Sequence, residues 1–302
     1  MNKLFRKTLF LVVGIAVTLP AILADDAFAI EIAAARLARI QRLTKPDGWL
    51  TLIGLHFLKP GENNIGSAPD NSIVIQKLPA HFGVATLATD GTVTFEAKES
   101  GAFLDGNSLS GPVALKVGEL DGMSPTIVSS GSVSFFVVDR NGRKALRVKD
   151  SESDRRTHFL GLDYFPADPK WRIEAKWVVF DTPKEVPIAN IIGSVSKEKI
   201  PGKAVFEHDG KTVELIPMVE GPDAPLFFVI SDATSGKETY SAARFLYAKH
   251  PGPDGRVILD FNLAYNPPCA FTPFATCPLP PPQNRLTFPV TAGEKKYRGE
   301  HE

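Results

Sequence analysis

At 302 residues, with 43% apolar side chains and 34 basic against 34 acidic residues, the chain is long enough to bury a sizeable core and has no charge excess. That balance argues against a nucleic-acid binder, which carries a basic excess or stripe. Twenty-five prolines and 24 glycines, with no low-complexity tract, argue for many turns and short strands rather than a helical bundle.

The chain opens on a basic region of Lys3, Arg6 and Lys7, followed by an uncharged run from Thr8 to Ala24. Ala27-Phe28-Ala29 forms an A-x-A site. These three regions read as a secretory signal cleaved to leave Ile30 as the new terminus. The uncharged run is shorter than the roughly 20 residues of a spanning helix, and Pro20 interrupts it. The expectation is an exported protein, periplasmic or secreted, of roughly 270 residues with no transmembrane segment. Removing the leader takes away three basic and two acidic residues, so the mature charge is −1.

Ile30 to Thr44 predicts the one helix. Leu37, Ile40 and Leu43 recur every third residue, Arg36, Arg39 and Arg42 form a neighbouring basic row, and Pro46 stops the run. The Arg row reads as a solvated face. Beyond it the chain reads as hairpins. Asp90-Gly91 lies within Ala85 to Ala97, Asn141-Gly142 within Ser134 to Val148, and Asp209-Gly210 within Ala204 to Ile216. Leu226 to Tyr247 turns near Ser235-Gly236, and Asp254-Gly255 precedes another strand. Asx-Gly supplies the positive φ angles of tight turns, and the flanking β-branched and aromatic residues suit a pleated surface. The polar run Lys149 to Arg156 marks a boundary. The expected organisation is a leader over 1–29, a helix and β-sandwich subdomain over 30–150, and an antiparallel β subdomain over 151–302.

Cys269 and Cys277 are the only cysteines. In an oxidising compartment an even, local pair predicts a disulfide closing a small loop. Free thiols, a redox pair or metal ligands are the other readings, and neither Cys-x-x-Cys nor a neighbouring His is present. No His-x-His, His-Glu-x-x-His or Gly-x-Ser-x-Gly spacing occurs. Ser194 with Lys197 lacks its companion elements, and Gly210-Lys211-Thr212 lacks the upstream glycine of a phosphate loop. No cofactor and no metal is expected. His158, beside Arg155 and Arg156, and Asp260 are the catalytic candidates. The ligand-binding candidates are Tyr240, Arg244, Asn262, Tyr265, Asn266, Thr272, Asn284 and Arg285, which crowd around a proline-stiffened segment.

Two resemblances follow from particular residues. Pro60-Gly61-Glu62-Asn63-Asn64-Ile65-Gly66-Ser67, Pro69-Asp70-Asn71-Ser72-Ile73-Val74-Ile75, His81 and Asp105-Gly106-Asn107 resemble a forkhead-associated domain over Leu58 to Val138. The resemblance implies a β-sandwich. The family's phosphate-gripping Arg is Ser67 here, so phosphothreonine reading is not implied. Asp47-Gly48-Trp49-Leu50-Thr51-Leu52, Gly161-Leu162-Asp163-Tyr164-Phe165-Pro166 and Asp260-Phe261-Asn262 point elsewhere, as does the unusual run from Tyr265-Asn266-Pro267-Pro268-Cys269 through Ala275-Thr276-Cys277-Pro278-Leu279-Pro280-Pro281. These resemble a bacterial family known as domain of unknown function sixteen-eighty-four, over nearly all of the mature chain, and that resemblance implies no particular chemistry. The fold class expected is mostly β: a forkhead-associated-like sandwich, a second antiparallel β subdomain and one short N-terminal helix. The functional expectation is non-covalent binding of a cell-envelope or extracellular ligand. A hydrolase with a site in the C-terminal half and a purely structural or assembly protein are the alternatives.

Overall fold

The computed structural model describes residues 19–118, 124–219, 221 and 223–299. The predicted leader's basic region and most of its apolar run lie outside those residues. The protein is mostly β, with two separate cores and an N-terminal helix.

The helix spans Leu19–Leu43, longer than the predicted segment because several residues before Ile30, Leu23, Ala24, Ala27 and Ala29 among them, are themselves good helix formers. The chain leaves helical geometry ahead of Pro46, which has no N–H to continue the ladder. The buried face differs from the predicted one. Leu37 is 57% exposed, whereas Ile32 and Leu43 are buried and Arg36 and Arg39 are half-buried. That spacing of four, three and four residues is one helical stripe, so two of the three arginines face protein rather than solvent.

The strands between Leu52 and Asp150 form a two-sheet sandwich, the architecture implied by the forkhead-associated resemblance. A seven-stranded sheet is built around the antiparallel pair Val133–Arg140 and Arg143–Asp150, with Leu52–Phe57 on its edge. A five-stranded sheet is built around Gly61–Gly66, Gly83–Leu87 and Val93–Ala97. Alternate side chains of both sheets meet in one core. Its centre is Phe82, Phe95 and Phe135, with ring centroids 5.4, 5.6 and 6.4 Å apart. Two of the predicted Asx-Gly turns carry the left-handed pair. Asn141 and Gly142 have φ of 55° and 78°, and Asp209 and Gly210 have 49° and 71°, the left-handed pair that a two-residue hairpin requires.

The second core lies between a four-stranded sheet and the pair Leu226–Ile230 and Arg244–Ala248. Its longest strands, Arg172–Ala189 and Val195–His208, are not announced by the sequence, because Pro183, Pro187, Pro201 and Gly202 read as breakers. The register shifts between Val179 and Lys184. Pro183 and Pro201 both fall in that irregularity, where no ladder N–H is needed. Leu226 and Arg244 do not bracket a tight turn; their strands are joined by a longer loop over residues 231–243.

The helix, although adjacent in sequence to the sandwich, packs on the second half. Arg36 donates to the Phe165 carbonyl at 2.8 Å, and Glu31 accepts from Arg172 at 2.8 and 2.9 Å. The halves are tied by Thr272 Oγ1 donating to the Leu52 carbonyl at 3.0 Å and Ser153 Oγ donating to that of Leu50 at 2.7 Å. No described helix is long and apolar enough to cross a membrane.

Candidate functional site

A cleft of about 1030 Å³ opens where the end of the helix, the Asn141-Gly142 hairpin and the second half meet. A smaller hollow of about 430 Å³ adjoins it, sharing Arg39, Arg42, Tyr247 and Tyr265. Clefts of this size at the junction of two substructures are the usual place for a small ligand.

One wall is aromatic. The strand register places Phe227 opposite Tyr247 and Val229 opposite Phe245. Alternation therefore sends Phe227, Phe245 and Tyr247 to the cleft side, while Leu226, Phe228 and Ile230 enter the core. Phe227 and Tyr247 stack at 4.7 Å, and Tyr265 stacks beyond Tyr247 at 6.3 Å. The proline-stiffened tail segment continues this side through Pro268, Ala275, Thr276, Cys277 and Pro278.

The facing wall is cationic. Arg140, Arg147 and Lys149 come from the hairpin, and Arg42 and Lys45 from the end of the helix and the turn that follows it. Arg147 is only 2% exposed and lies over the Trp49 ring at 5.1 Å. Burial pulls its pKa down to about 10, so it stays charged at neutral pH. Lys149, also lowered by burial and then by Arg147, donates to the Asp47 carbonyl at 2.6 Å.

Between the two hollows Arg39 stacks on Tyr265 at 4.4 Å and donates to Glu294 at 2.9 Å. Arg36 stacks on Tyr164 at 4.4 Å. Glu294 is fully buried, accepts the Asn266 N–H at 2.8 Å and is held above the ordinary carboxylate range by burial. Burial likewise pushes Tyr265 up to about 12. A carboxyl raised in the folded state keeps its proton to higher pH than in the unfolded chain. Its contribution to stability therefore falls as pH rises through the carboxylate range and levels off above the folded value. Glu294→Gln removes that titration. Denaturant midpoints measured between about pH 4 and about pH 7 should decline more steeply in the wild type than in the variant, and parallel curves would contradict the assignment.

The sequence-predicted residues divide sharply. Tyr265 lines both hollows and Asn262 lines the smaller one. The others serve the framework. Tyr240 donates to the Cys269 carbonyl at 3.0 Å. Arg244 is buried against Asp232 at 2.7 Å. Asn266 donates to the Lys295 carbonyl at 2.7 Å. Thr272 bridges to Leu52, Asn284 clamps Ile216 and Val229, and Arg285 is exposed, donating to the Pro280 carbonyl at 3.2 Å. Among the catalytic candidates, His158 is exposed at the end of the short helix Asp154–Thr157. Asp260 is occupied by Arg172 Nε at 2.7 Å and by the Asn262 N–H at 3.0 Å. Neither lines the two hollows. Cys269 and Cys277 are buried thiols side by side, with the Cys269 N–H donating to Cys277 Sγ at 3.2 Å. Among the described residues no three His, Cys, Asp or Glu side chains converge in a way that could hold a metal ion.

Sequence reasoning missed Arg147, Lys149, Trp49 and the aromatic pair Phe227 and Tyr247. A signal existed for Phe227. Leu226-Phe227-Phe228-Val229-Ile230 is apolar on both faces, so one face must meet something other than the main core.

The model of the family described as Protein of unknown function (DUF1684) matches residues 157–295. The resembling residues before that range, Asp47 to Leu52 among them, lie outside the match, so it is narrower than the whole-chain likeness expected from sequence. The solution NMR structure of an uncharacterized protein from Haloarcula marismortui is 32% identical, over 47% of this chain and 80% of its own length, with a TM-score of 0.39. The crystal structure of Rad53 1-466 in complex with AMP-PNP is 11% identical, over 74% of this chain and 50% of its own, with a TM-score of 0.16. No curated protein matches the chain.

Proposed function

We propose a binding function for this chain, which belongs to the family described as Protein of unknown function (DUF1684): it is exported and holds a cell-envelope or extracellular ligand, non-covalently, in the cleft between its halves. The observation that carries the reading is the position of the family-typical tail. Pro268, Ala275, Thr276, Cys277 and Pro278 form a wall of the larger hollow; prolines restrict its conformation, and the Ile191 N–H donating to the Cys277 carbonyl at 3.0 Å and the Leu279 N–H donating to that of Ala189 at 2.8 Å pin its end. A wall held rigid before binding lowers the ordering cost that a ligand would otherwise meet.

A ligand that prefers the native state raises its melting temperature. At a hundredfold excess over Kd the gain is about 2.7 kcal/mol, or roughly 5–10 °C for a chain of this size. A thermal-shift screen against cell-wall fragments, sugars, peptides and small acids is expected to yield such a rise with one class. Silence across all classes would remove the binding reading and favour an assembly role.

Export carries its own expectations. Cleavage after Ala29 preserves the helix contacts from Glu31 onward, including the Glu31–Arg172 pair. N-terminal sequencing of protein from the envelope or medium should therefore begin at Ile30, and a retained leader on cytosolic protein would refute export. In that oxidising compartment Cys269 and Cys277 are expected to close a disulfide. Neither should then alkylate without reductant, and reduction should cost about 2–3 kcal/mol.

A further inference from the structure

We propose that Cys277 is a thiol-exchange site: in the oxidised protein it is the sulfur of the Cys269–Cys277 bridge that a small thiol attacks from the cleft, with Cys269 as the leaving group. This rests on the bridge expected of the exported chain and not on any ligand, so it goes beyond the binding reading. The pair is asymmetric. Both cysteines are 6% exposed, yet Cys277 lines the larger hollow and Cys269 does not. The two share an apolar cluster with Phe227, Val229, Ala243 and Phe245, so an approach from the cleft meets Cys277 first. A hollow of about 1030 Å³ has room for a small thiol, and access is one of the quantities that decide which sulfur of a bridge is attacked.

The surroundings of the two sulfurs favour the same direction. On the cleft side the Arg147 guanidinium attracts negative charge at Cys277, and the attacking species is a thiolate anion. On the other side the Tyr240 hydroxyl donates to the Cys269 carbonyl at 3.0 Å. In the reduced pair Cys269 is held below the ordinary thiol range by its hydrogen bond with Cys277 and, against the opposing effect of burial, by one with the Tyr240 hydroxyl. Cys277 is raised by the same pairing and by burial. The thiol of lower pKa leaves faster. In the step itself the external thiolate bonds to Cys277 Sγ while the bond between the two Sγ atoms breaks, and the electron pair departs on Cys269. A second thiolate then attacks the external sulfur of the mixed disulfide and frees Cys277. Two small thiols are oxidised to one disulfide, the bridge gains two electrons, and the two protons finish on Cys269 and Cys277. Opening the bridge releases the loop between those residues, so exchange sets the stiffness of that wall of the cleft.

The test compares the two single-cysteine variants of the purified protein, with glutathione as the probe. Treated with oxidised glutathione and followed by intact mass, Cys269→Ser should take up one glutathione at Cys277 about tenfold or more faster than Cys277→Ser takes one up at Cys269. In urea the two rates should converge, because the asymmetry belongs to the fold. The wild type supplies a reading free of substitution. Oxidised protein exposed briefly to reduced glutathione, quenched in acid and mapped by peptide mass should carry the mixed disulfide on Cys277. Tyr240→Phe should slow reduction of the wild-type bridge severalfold while leaving uptake at Cys277 in the Cys269→Ser background unchanged, a split that a merely structural role would not produce. Equal rates in the two folded variants, a difference that persists in urea, or glutathione mapped to Cys269 would overturn the proposal. So would a wild type that forms no bridge under oxidised glutathione. None of these results touches the binding reading, which stands or falls on the ligand screen.

Discussion

Arg244→Ala is expected to destabilise the protein by about 3–5 kcal/mol, the usual cost of leaving one member of a buried ion pair behind. The guanidinium is 1% exposed and the Asp232 carboxylate fully enclosed, and they meet at 2.7 Å. Arg244 also donates to the carbonyls of Val290 and Ala292. Asp232 in turn accepts from the Thr234 N–H and hydroxyl at 2.8 and 2.6 Å, and from the Val290 N–H at 3.2 Å. Removing the guanidinium strands a carboxylate and two carbonyls at once, in a core that cannot admit water cheaply. Arg244→Lys keeps the charge but not the fork, so it should fall between the variant and the wild type. Urea denaturation measures both. A near wild-type midpoint for Arg244→Ala, combined with lost ligand binding, would return Arg244 to the role its sequence position suggested.

Asn284→Ala carries the second large expected effect, about 2–4 kcal/mol. Its Oδ1 accepts the Ile216 N–H at 2.9 Å, while its Nδ2 donates to the carbonyls of Ile216 and Val229 at 2.9 and 3.0 Å. One side chain thus replaces a missing strand, satisfying backbone groups that have no sheet partner there. Truncation leaves three buried polar groups unpaired, each costing about 1–3 kcal/mol before the loop relaxes. Asn284→Asp should be no better, since it cannot donate and would face two carbonyls with a charge. Equilibrium unfolding of both variants tests this. If either retains full stability, the clamp is not what holds the tail segment against the strand Leu226–Ile230.

Both predictions concern residues that the sequence nominates as ligand contacts, and the reason for the discrepancy is physical. A polar side chain beside a proline-rich, ladder-poor loop has two possible employers: a ligand, or the loop's own unpaired backbone. Composition cannot distinguish them. The structure assigns Arg244, Asn266, Thr272 and Asn284 to the backbone and leaves Tyr265 at the open surface of the cleft. The helix gives the complementary case. Arg36 and Arg39 read as solvated because charge usually marks the outer face, yet their long side chains lie along Tyr164 and Tyr265 and carry their charges to Phe165 and Glu294.

What the chain's own residues determined is what depends on near neighbours. Asx-Gly pairs set the hairpin turns, because only those residues accept consecutive positive φ angles cheaply. Alternation of apolar residues set the mostly β class and the faces of the sandwich strands. Pro46 set the end of the helix. The tail run from Tyr265 to Pro281 marked the family and the loop that walls the cleft. Tertiary structure alone decided the rest. Arg147 and Trp49 are 98 positions apart in sequence, and no local pattern could bring that guanidinium over that ring. Nor could spacing reveal that Arg42, Lys149 and Tyr247, from a helix, one strand of the sandwich and one strand of the second half, would face the same cleft. Their convergence depends on how two separately formed cores dock, which is governed by the Leu43, Leu50, Ala270 and Phe271 cluster between them and by the shape of both surfaces rather than by any one segment.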